Sequence, residues 1–251
     1  MKLKLICTIT NNSDLLPHFL KHYSKQGVTH FYFFKYASAD RLHIPQKYKN
    51  VVTVINSCCT EGVREHDFNI LNPLHILQQT FIGYDEWFVP ADLDEFATIS
   101  KTLRIVDAID ICNTKGFNCI SGRFIDRVTK NKTLPSKLAN NIWKQFSENS
   151  LLTQNVVKGC CEKVVAAKGN LHLTIGHHFI KNKTELQKYP DVAKVYHFKW
   201  WGNILERLHK RFYERKRLMP EYRYSNEMLR VCKYFEYEHL QDMLDGKPPT
   251  S

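Results

Sequence analysis

Short apolar runs and longer stretches of helical spacing take turns along the first hundred residues of this chain. "LKLICTIT" (residues 3–10) is an apolar run of strand length. In "NNSDLLPHFLKHYSKQG" (11–27), Ser13 supplies a helix cap. Leu16, Phe19, Leu20 and Tyr23 recur at helical spacing, and Gly27 supplies a stop. "VTHFYFFKY" (28–36) and "NVVTVIN" (50–56) read as the second and third strands. "GVREHDFNILNPLHILQQTFIGY" (62–84) has helical periodicity that Pro73 divides, and "DEWFVPADLDEF" (85–96) reads as a fourth strand. Strand and helix in this order predict an α/β fold: a mostly parallel, Rossmann-like, doubly wound sheet with helices on both faces.

The second half is less regular. "GFNCISGRFIDRV" (116–128) predicts a strand broken at Gly122. "EKVVAAKGNLHLTIGHHF" (162–179) predicts a hairpin turning at Lys168-Gly169-Asn170, and "VAKVYHFKW" (192–200) a further strand. Helical patterns cover Asn203 to Leu218 and Asn226 to Leu244. The expected organisation is one domain over residues 1–251: a nucleotide-binding half (1–100), a β-rich acceptor-side half (101–200) and basic closing helices (201–251).

Composition changes this picture little, because 43% hydrophobic and 24% charged residues are ordinary for a globular chain. Charge changes it more. A net charge of +11 calls for an anionic partner. Much of that charge lies in "ERLHKRFYERKRLMPEYRY" (206–224), which is either a solvated helix face or a phosphate-binding or membrane-facing surface giving peripheral membrane contact. No run of 18 apolar residues and no signal-peptide pattern occurs, so a cytoplasmic location is expected. The eight cysteines are expected to stay reduced and buried. The adjacent pairs Cys58-Cys59 and Cys160-Cys161 lack zinc-ligand spacing.

The candidate chemistry sits in "WFVPADLDEF". Ligands of open α/β sheets bind beyond the carboxyl ends of the strands. Strand alternation would turn Asp92 and Asp94 to one side, about 7 Å apart, with Glu95 opposite as a structural hydrogen-bond acceptor. Adjacent carboxylates beside a core strand repel one another. A hard divalent cation, Mn²⁺ or Mg²⁺, completed by phosphate oxygens, relieves that repulsion. An acidic turn with a helix cap is the alternative. Asp126 in "GRFIDRV" is the candidate general base, and a salt bridge to Arg123 or Arg127 is the competing reading. Lys163, Lys199, Arg207 and Arg211 are cations available to a diphosphate or an anionic acceptor. Arg64 either pairs with phosphate or is solvated.

"WFVPADLDEF" resembles the DxD segment of GT-A fold glycosyltransferases, in the "DLDEF" form of the family-2-like and family-92-like (DUF23) group. "ITNNSDLLPHFLKHYSKQGVTHFYFF", "YASADR", "GRFIDRV", "EKVVAAKG", "GHHF" and "VYHFKW" resemble further blocks in the same order, over roughly residues 3 to 215. The resemblance implies a metal-dependent, inverting glycosyltransferase that moves a sugar from a nucleotide-sugar donor, a UDP-sugar in particular, to a glycan or lipid-linked hydroxyl. It implies Asp94 as a direct metal ligand and Asp92 as a ligand or ribose contact. His197 would be a late metal ligand with His178 its competitor, and Thr8, Thr10, Asn11, Ser38 and Asp40 would surround the nucleotide. Two other readings stay open. A metal-dependent phosphohydrolase or nucleotidyltransferase would need a second acidic cluster, which the sequence does not show. A basic nucleic-acid-binding protein would have to tolerate an acidic cluster at the sheet edge, and no nucleic-acid motif is present.

Overall fold

The computed structural model describes residues 2–9, 13–36, 42–57, 73–131, 133–218, 225–245 and 247. In chain order the elements are β1 (Leu3–Ile9), α1 (Leu16–Lys25), β2 (Val28–Lys35), β3 (Val52–Asn56), α2 (Pro73–Phe81), β4 (Trp87–Pro90) and β5 (Glu95–Thr98). They continue with α3 (Ile105–Lys115), β6 (Cys119–Val128), α4 (Ile142–Gln145), β7 (Glu148–Ser150), β8 (Glu162–Lys168) and β9 (Ala193–His197). The chain closes with α5 (Ile204–Leu218), α6 (Ser225–Tyr234) and α7 (Leu240–Leu244). Two compact units emerge, Met1–Phe124 with Glu162–His197, and Ile125–Cys161 with Phe198–Ser251. These boundaries cut across the expected division at residues 100 and 200.

The first unit is a mixed α/β structure on a sheet ordered β3-β2-β1-β4-β8-β6-β9-β5. Its β3-β2-β1-β4 part is parallel, with α1 between β1 and β2 and α2 between β3 and β4 serving as crossovers. The pairs β4–β8, β6–β8 and β5–β9 are antiparallel. Alternation along β2 distributes its aromatics to both faces. Phe33 meets Phe19 of α1, while Tyr32 stacks on Phe81 of α2 at 4.1 Å. The face under α2 is a core of Ile6, Leu74, Leu77, Phe88 and Val164.

Several local expectations change. The strand expected over 85–96 ends at Pro90, which has no N–H to offer a ladder. Gly122 does not break β6. A Cβ there would lie 2.7 Å from Val165 and 2.8 Å from Val195, so the strand is seated too closely between its neighbours for any side chain. The turn after Lys168 forms, with Leu171 N–H donating to the Lys168 carbonyl at 3.0 Å. Its second limb makes only a single bridge, Leu173 to Ile180, because both edges of β8 are taken by β4 and β6. Helix α3 is additional to the expected elements. The Asp107 carboxylate opens it, accepting from Arg104 N–H at 3.3 Å and from Arg104 Nε–H at 2.8 Å, and Gly116 at φ 77° closes it.

α1 also carries a titrating group. His22 Nε2–H donates to the Ala97 carbonyl at 2.8 Å, and the ring lies edge-on to Phe96. Burial lowers its pKa to about 4, partly opposed by the Ala97 hydrogen bond. A depressed histidine contributes stability that is present above the ordinary pKa of 6.5 and lost as pH falls through 4. The folded chain is therefore expected to lose up to roughly 3 kcal/mol across that window. Urea midpoints measured against pH should show this slope in the wild type and its absence in His22→Phe.

The second unit packs Trp200, Leu208, Phe212, Met228 and Val231 into its own core, with residues 126–128 of β6 paired to β7. The single helix expected over Asn226–Leu244 is two helices. After α6 the chain turns at Glu236, φ 52°, and Tyr237 N–H donates back to the Cys232 carbonyl at 2.9 Å, the closure of a left-handed helix stop. Cys7, Cys112, Cys119 and Cys232 are free and buried, whereas Cys160 is exposed, on the loop before β8. Cys58 and Cys59 lie outside the described residues.

Candidate functional site

β4 carries four buried residues to Pro90, and Ala91 N–H still donates to Ile6 of β1 at 3.1 Å. The chain then folds into a turn closed by Glu95 N–H on the Asp92 carbonyl at 3.0 Å, and β5 begins. Asp92 and Asp94 thus stand on a turn rather than on one side of a strand, and alternation does not set their direction. β1 runs close by. The Cys7 thiol is pushed well above its ordinary pKa by burial first, then by Asp92, Asp94 and Glu95.

The inner part of the turn is a buried ionic cluster. Glu95, 3% exposed, accepts from Lys163 Nζ on Oε1 at 2.7 Å and from His177 Nε2–H on Oε2 at 3.0 Å. Lys163 comes from β8 and is also 3% exposed. Its ammonium donates further to the Gly176 carbonyl at 2.9 Å and to Asp92 Oδ2 at 3.4 Å, and it lies 5.1 Å above the Phe124 ring. Burial, the largest influence, would lower the lysine pKa, but Glu95 and Asp92 outweigh it and hold the ammonium above its ordinary value. His177 is fully buried, with a backbone φ of 44° directly after Gly176 at 69°. A non-glycine residue in that region costs about 1 kcal/mol, and here it aims the imidazole at Glu95. Tyr23 fixes the start of β5 from α1, donating to the Glu95 carbonyl at 2.9 Å and accepting from Ala97 N–H at 3.1 Å.

The outer part pairs Asp94 with His197, which faces Glu95 across the β5–β9 ladder. Asp94 Oδ2 and His197 Nε2 are 3.6 Å apart, with side chains 17% and 8% exposed. The His197 ring stacks on Phe124 at 4.7 Å and 18°, which orients it. Two donors each about 2.1 Å from one octahedral ion sit about 3 Å apart at right angles, so this carboxylate–imidazole pair, at 3.6 Å, could hold a divalent cation such as Mn²⁺ after closing by about 0.6 Å. Asp92, with 36% of its side chain exposed, stands at the junction of the inner and outer groups.

The other expected site residues are placed as follows. Thr8 is buried within β1. Thr10, Asn11, Ser38, Asp40 and Arg64 lie outside the described residues. His178 is turned to the backbone, Nδ1–H donating to the Glu162 carbonyl at 2.8 Å, and burial followed by the charge of Lys163 lowers its pKa. It is His177, not His178, that reaches the acidic turn. Lys199 and Arg207 belong to the second unit, with Lys199 Nζ 5.6 Å from the Trp200 ring. Asp126, the expected general base, is a buried acceptor in the second unit. It is 1% exposed, and its oxygens receive Thr153 N–H at 2.6 Å, Thr153 Oγ1 at 2.7 Å and Trp200 Nε1–H at 2.9 Å. That geometry gives it a structural task, because a base needs lone pairs that meet substrate. The contact of Glu95 with His177 and Lys163 carries no signal in the sequence, since it joins positions 82 and 68 residues apart.

Fold and site together define a mixed α/β protein with an acidic turn at the carboxyl end of a parallel strand, underlaid by a buried lysine, glutamate and histidine. No family model matches the chain, and no curated protein does. Among solved structures it is similar to S. aureus TarS 1-349, with 12% identity and a TM-score of 0.38 over 96% of this chain and 74% of that one. The same TarS fragment in complex with UDP gives 11% identity and a TM-score of 0.40 over 96% and 72%.

Proposed function

We propose that this chain is a metal-dependent glycosyltransferase that takes a sugar from a nucleotide-sugar donor, a UDP-sugar in particular. It transfers that sugar with inversion to a hydroxyl of a glycan or lipid-linked acceptor. The observation that carries this reading is the pairing of Asp94 with His197 at 3.6 Å on the "DLDEF" turn beyond β4. The order of the motif blocks supports it independently.

In this reading Asp94 and His197 hold a Mn²⁺ or Mg²⁺ ion, with Asp92 beside them. When bound, that ion supplies positive charge to the leaving diphosphate. The chain's own part is to present the turn rigidly. Tyr23 and the Glu95–Lys163–His177 cluster fix it from below, and Phe124 holds the His197 ring. A two-metal phosphohydrolase is disfavoured, because among the described residues only one group of three candidate ligands occurs, Asp92, Glu95 and His177. No helix among the described residues is long and apolar enough to cross a membrane. The peripheral membrane contact proposed for residues 206–224 rests on charge.

The test is a thermal-shift screen of nucleoside diphosphates and sugar nucleotides with and without Mn²⁺. One nucleotide series is expected to stabilise the wild type only when metal is present, by about 2.7 kcal/mol at a hundredfold excess over Kd. Asp94→Ala is expected to weaken that binding more than about tenfold. Nucleotide binding that ignores the metal, or an Asp94→Ala protein that binds like the wild type, would sink the proposal.

A further inference from the structure

One donor atom each from Asp92, Glu95 and His177 lie within 4.8 Å of one another, the spacing of ligands around a single ion. Donors on opposite sides of a small divalent cation are about 4.2 Å apart. This group nevertheless already contains a cation. The Lys163 ammonium has three N–H donors and three acceptors to meet them: Glu95 Oε1 at 2.7 Å, the Gly176 carbonyl at 2.9 Å and Asp92 Oδ2 at 3.4 Å. The imidazole is committed as well, since its Nε2 carries the proton that it donates to Glu95 at 3.0 Å and so offers no lone pair there.

We propose that Lys163 is the resident cation of the acidic turn: its ammonium takes the place that a divalent ion would otherwise hold among Asp92, Glu95 and His177, so any divalent ion is confined to the outer pair, Asp94 and His197. This goes beyond the transferase reading and does not rest on it. A lysine differs from a metal in one functional respect, since it is tethered. It cannot be stripped by a chelator, and the turn keeps its shape in metal-free solution. The fixed carboxylate of Glu95 and the left-handed backbone at His177 are arranged around that tether rather than around an exchangeable ion. Burial fits the same assignment. Glu95, Lys163 and His177 are nearly or fully enclosed, a setting in which an ion would have to shed its water, whereas Asp94, with 17% of its side chain exposed, can take a partly hydrated one together with His197.

Mn²⁺ binding followed by the electron paramagnetic resonance of the free ion, alongside melting temperature in metal-free buffer, tests the assignment. Lys163→Met should melt below the wild type without metal, bind a further Mn²⁺ ion that the wild type does not, and gain more in melting temperature from MnCl₂. The double variant E95Q/K163M should recover most of the lost stability and lose the added ion. Wild-type Mn²⁺ binding should survive Glu95→Gln. A folded Lys163→Met protein with no added Mn²⁺ would overturn the proposal, as would wild-type Mn²⁺ binding that disappears in Glu95→Gln. Should Lys163→Met fail to fold, a folded E95Q/K163M supports the proposal and an equally unfolded one overturns it. Absence of nucleotide binding would count against the transferase reading alone and leave these outcomes unchanged.

Discussion

Glu95→Ala is expected to destabilise the folded chain by about 3–5 kcal/mol, the cost of removing one partner from a buried ion pair. The carboxylate meets Lys163 at 2.7 Å and His177 at 3.0 Å, and both partners are enclosed. Its loss leaves an ammonium whose remaining carboxylate, Asp92, is 3.4 Å away, and an imidazole N–H with no acceptor on that side. Glu95→Gln should cost less, because the amide oxygen still accepts one hydrogen bond. Urea denaturation of the three proteins at pH 7 measures the order, and a loss below about 1 kcal/mol for the alanine variant would mean the cluster contributes little. The pH dependence has a definite sign. A lysine whose folded pKa is raised contributes stability that is fully present below the ordinary lysine value, and that contribution is lost only as pH rises through the higher folded value. The cluster's lysine therefore gives no slope near neutrality, where the acid-side loss attributed to His22 begins.

The second large effect is expected at Asp126. Asp126→Ala withdraws the acceptor from Thr153 N–H, Thr153 Oγ1 and Trp200 Nε1–H, all inside the second unit. Buried donors left without acceptors cost about 1–3 kcal/mol each, and bonds to a charged acceptor lie at the upper end. A net loss of about 3–5 kcal/mol is expected after some relaxation. Asp126→Asn keeps an oxygen for part of the network and should lose less. Denaturant midpoints separate this structural role from a general base. A structural acceptor lowers stability in both variants, in proportion to the bonds lost. A base that merely happens to be buried would leave Asp126→Asn as stable as the wild type while removing turnover.

Strands β1, β2 and β3 and helix α1 were legible because their apolar positions repeat at strand and helix periods within a single segment. Pro90 is equally legible as a ladder breaker, but the apolar run around it favours continuity, so periodicity extends the strand through the turn at Asp92–Glu95. α3 carried its signals openly: Ile105, Ala108, Ile109 and Cys112 at helical spacing before Gly116. It escaped because Arg104 is an unusual cap whose partner, Asp107, acts through a side-chain pair. The hairpin expected after β8 failed for a different reason. Its turn was local and correct, but whether a second limb finds an edge depends on which strands already occupy that edge.

The sequence by itself determined the α/β alternation at the start of the chain and the presence of three carboxylates beyond β4. Both are local properties of neighbouring residues. Only the tertiary structure decided which carboxylate does what. Register across β5 and β9 brings His197 opposite Glu95, where its ring meets Asp94. β8 inserts Lys163 beneath the turn, and a left-handed backbone turns His177 rather than His178 toward Glu95. Charge and hydrogen bonding act over a few ångströms in space, while these partners are separated by 68 to 103 positions along the chain. No pattern in the sequence encodes that proximity.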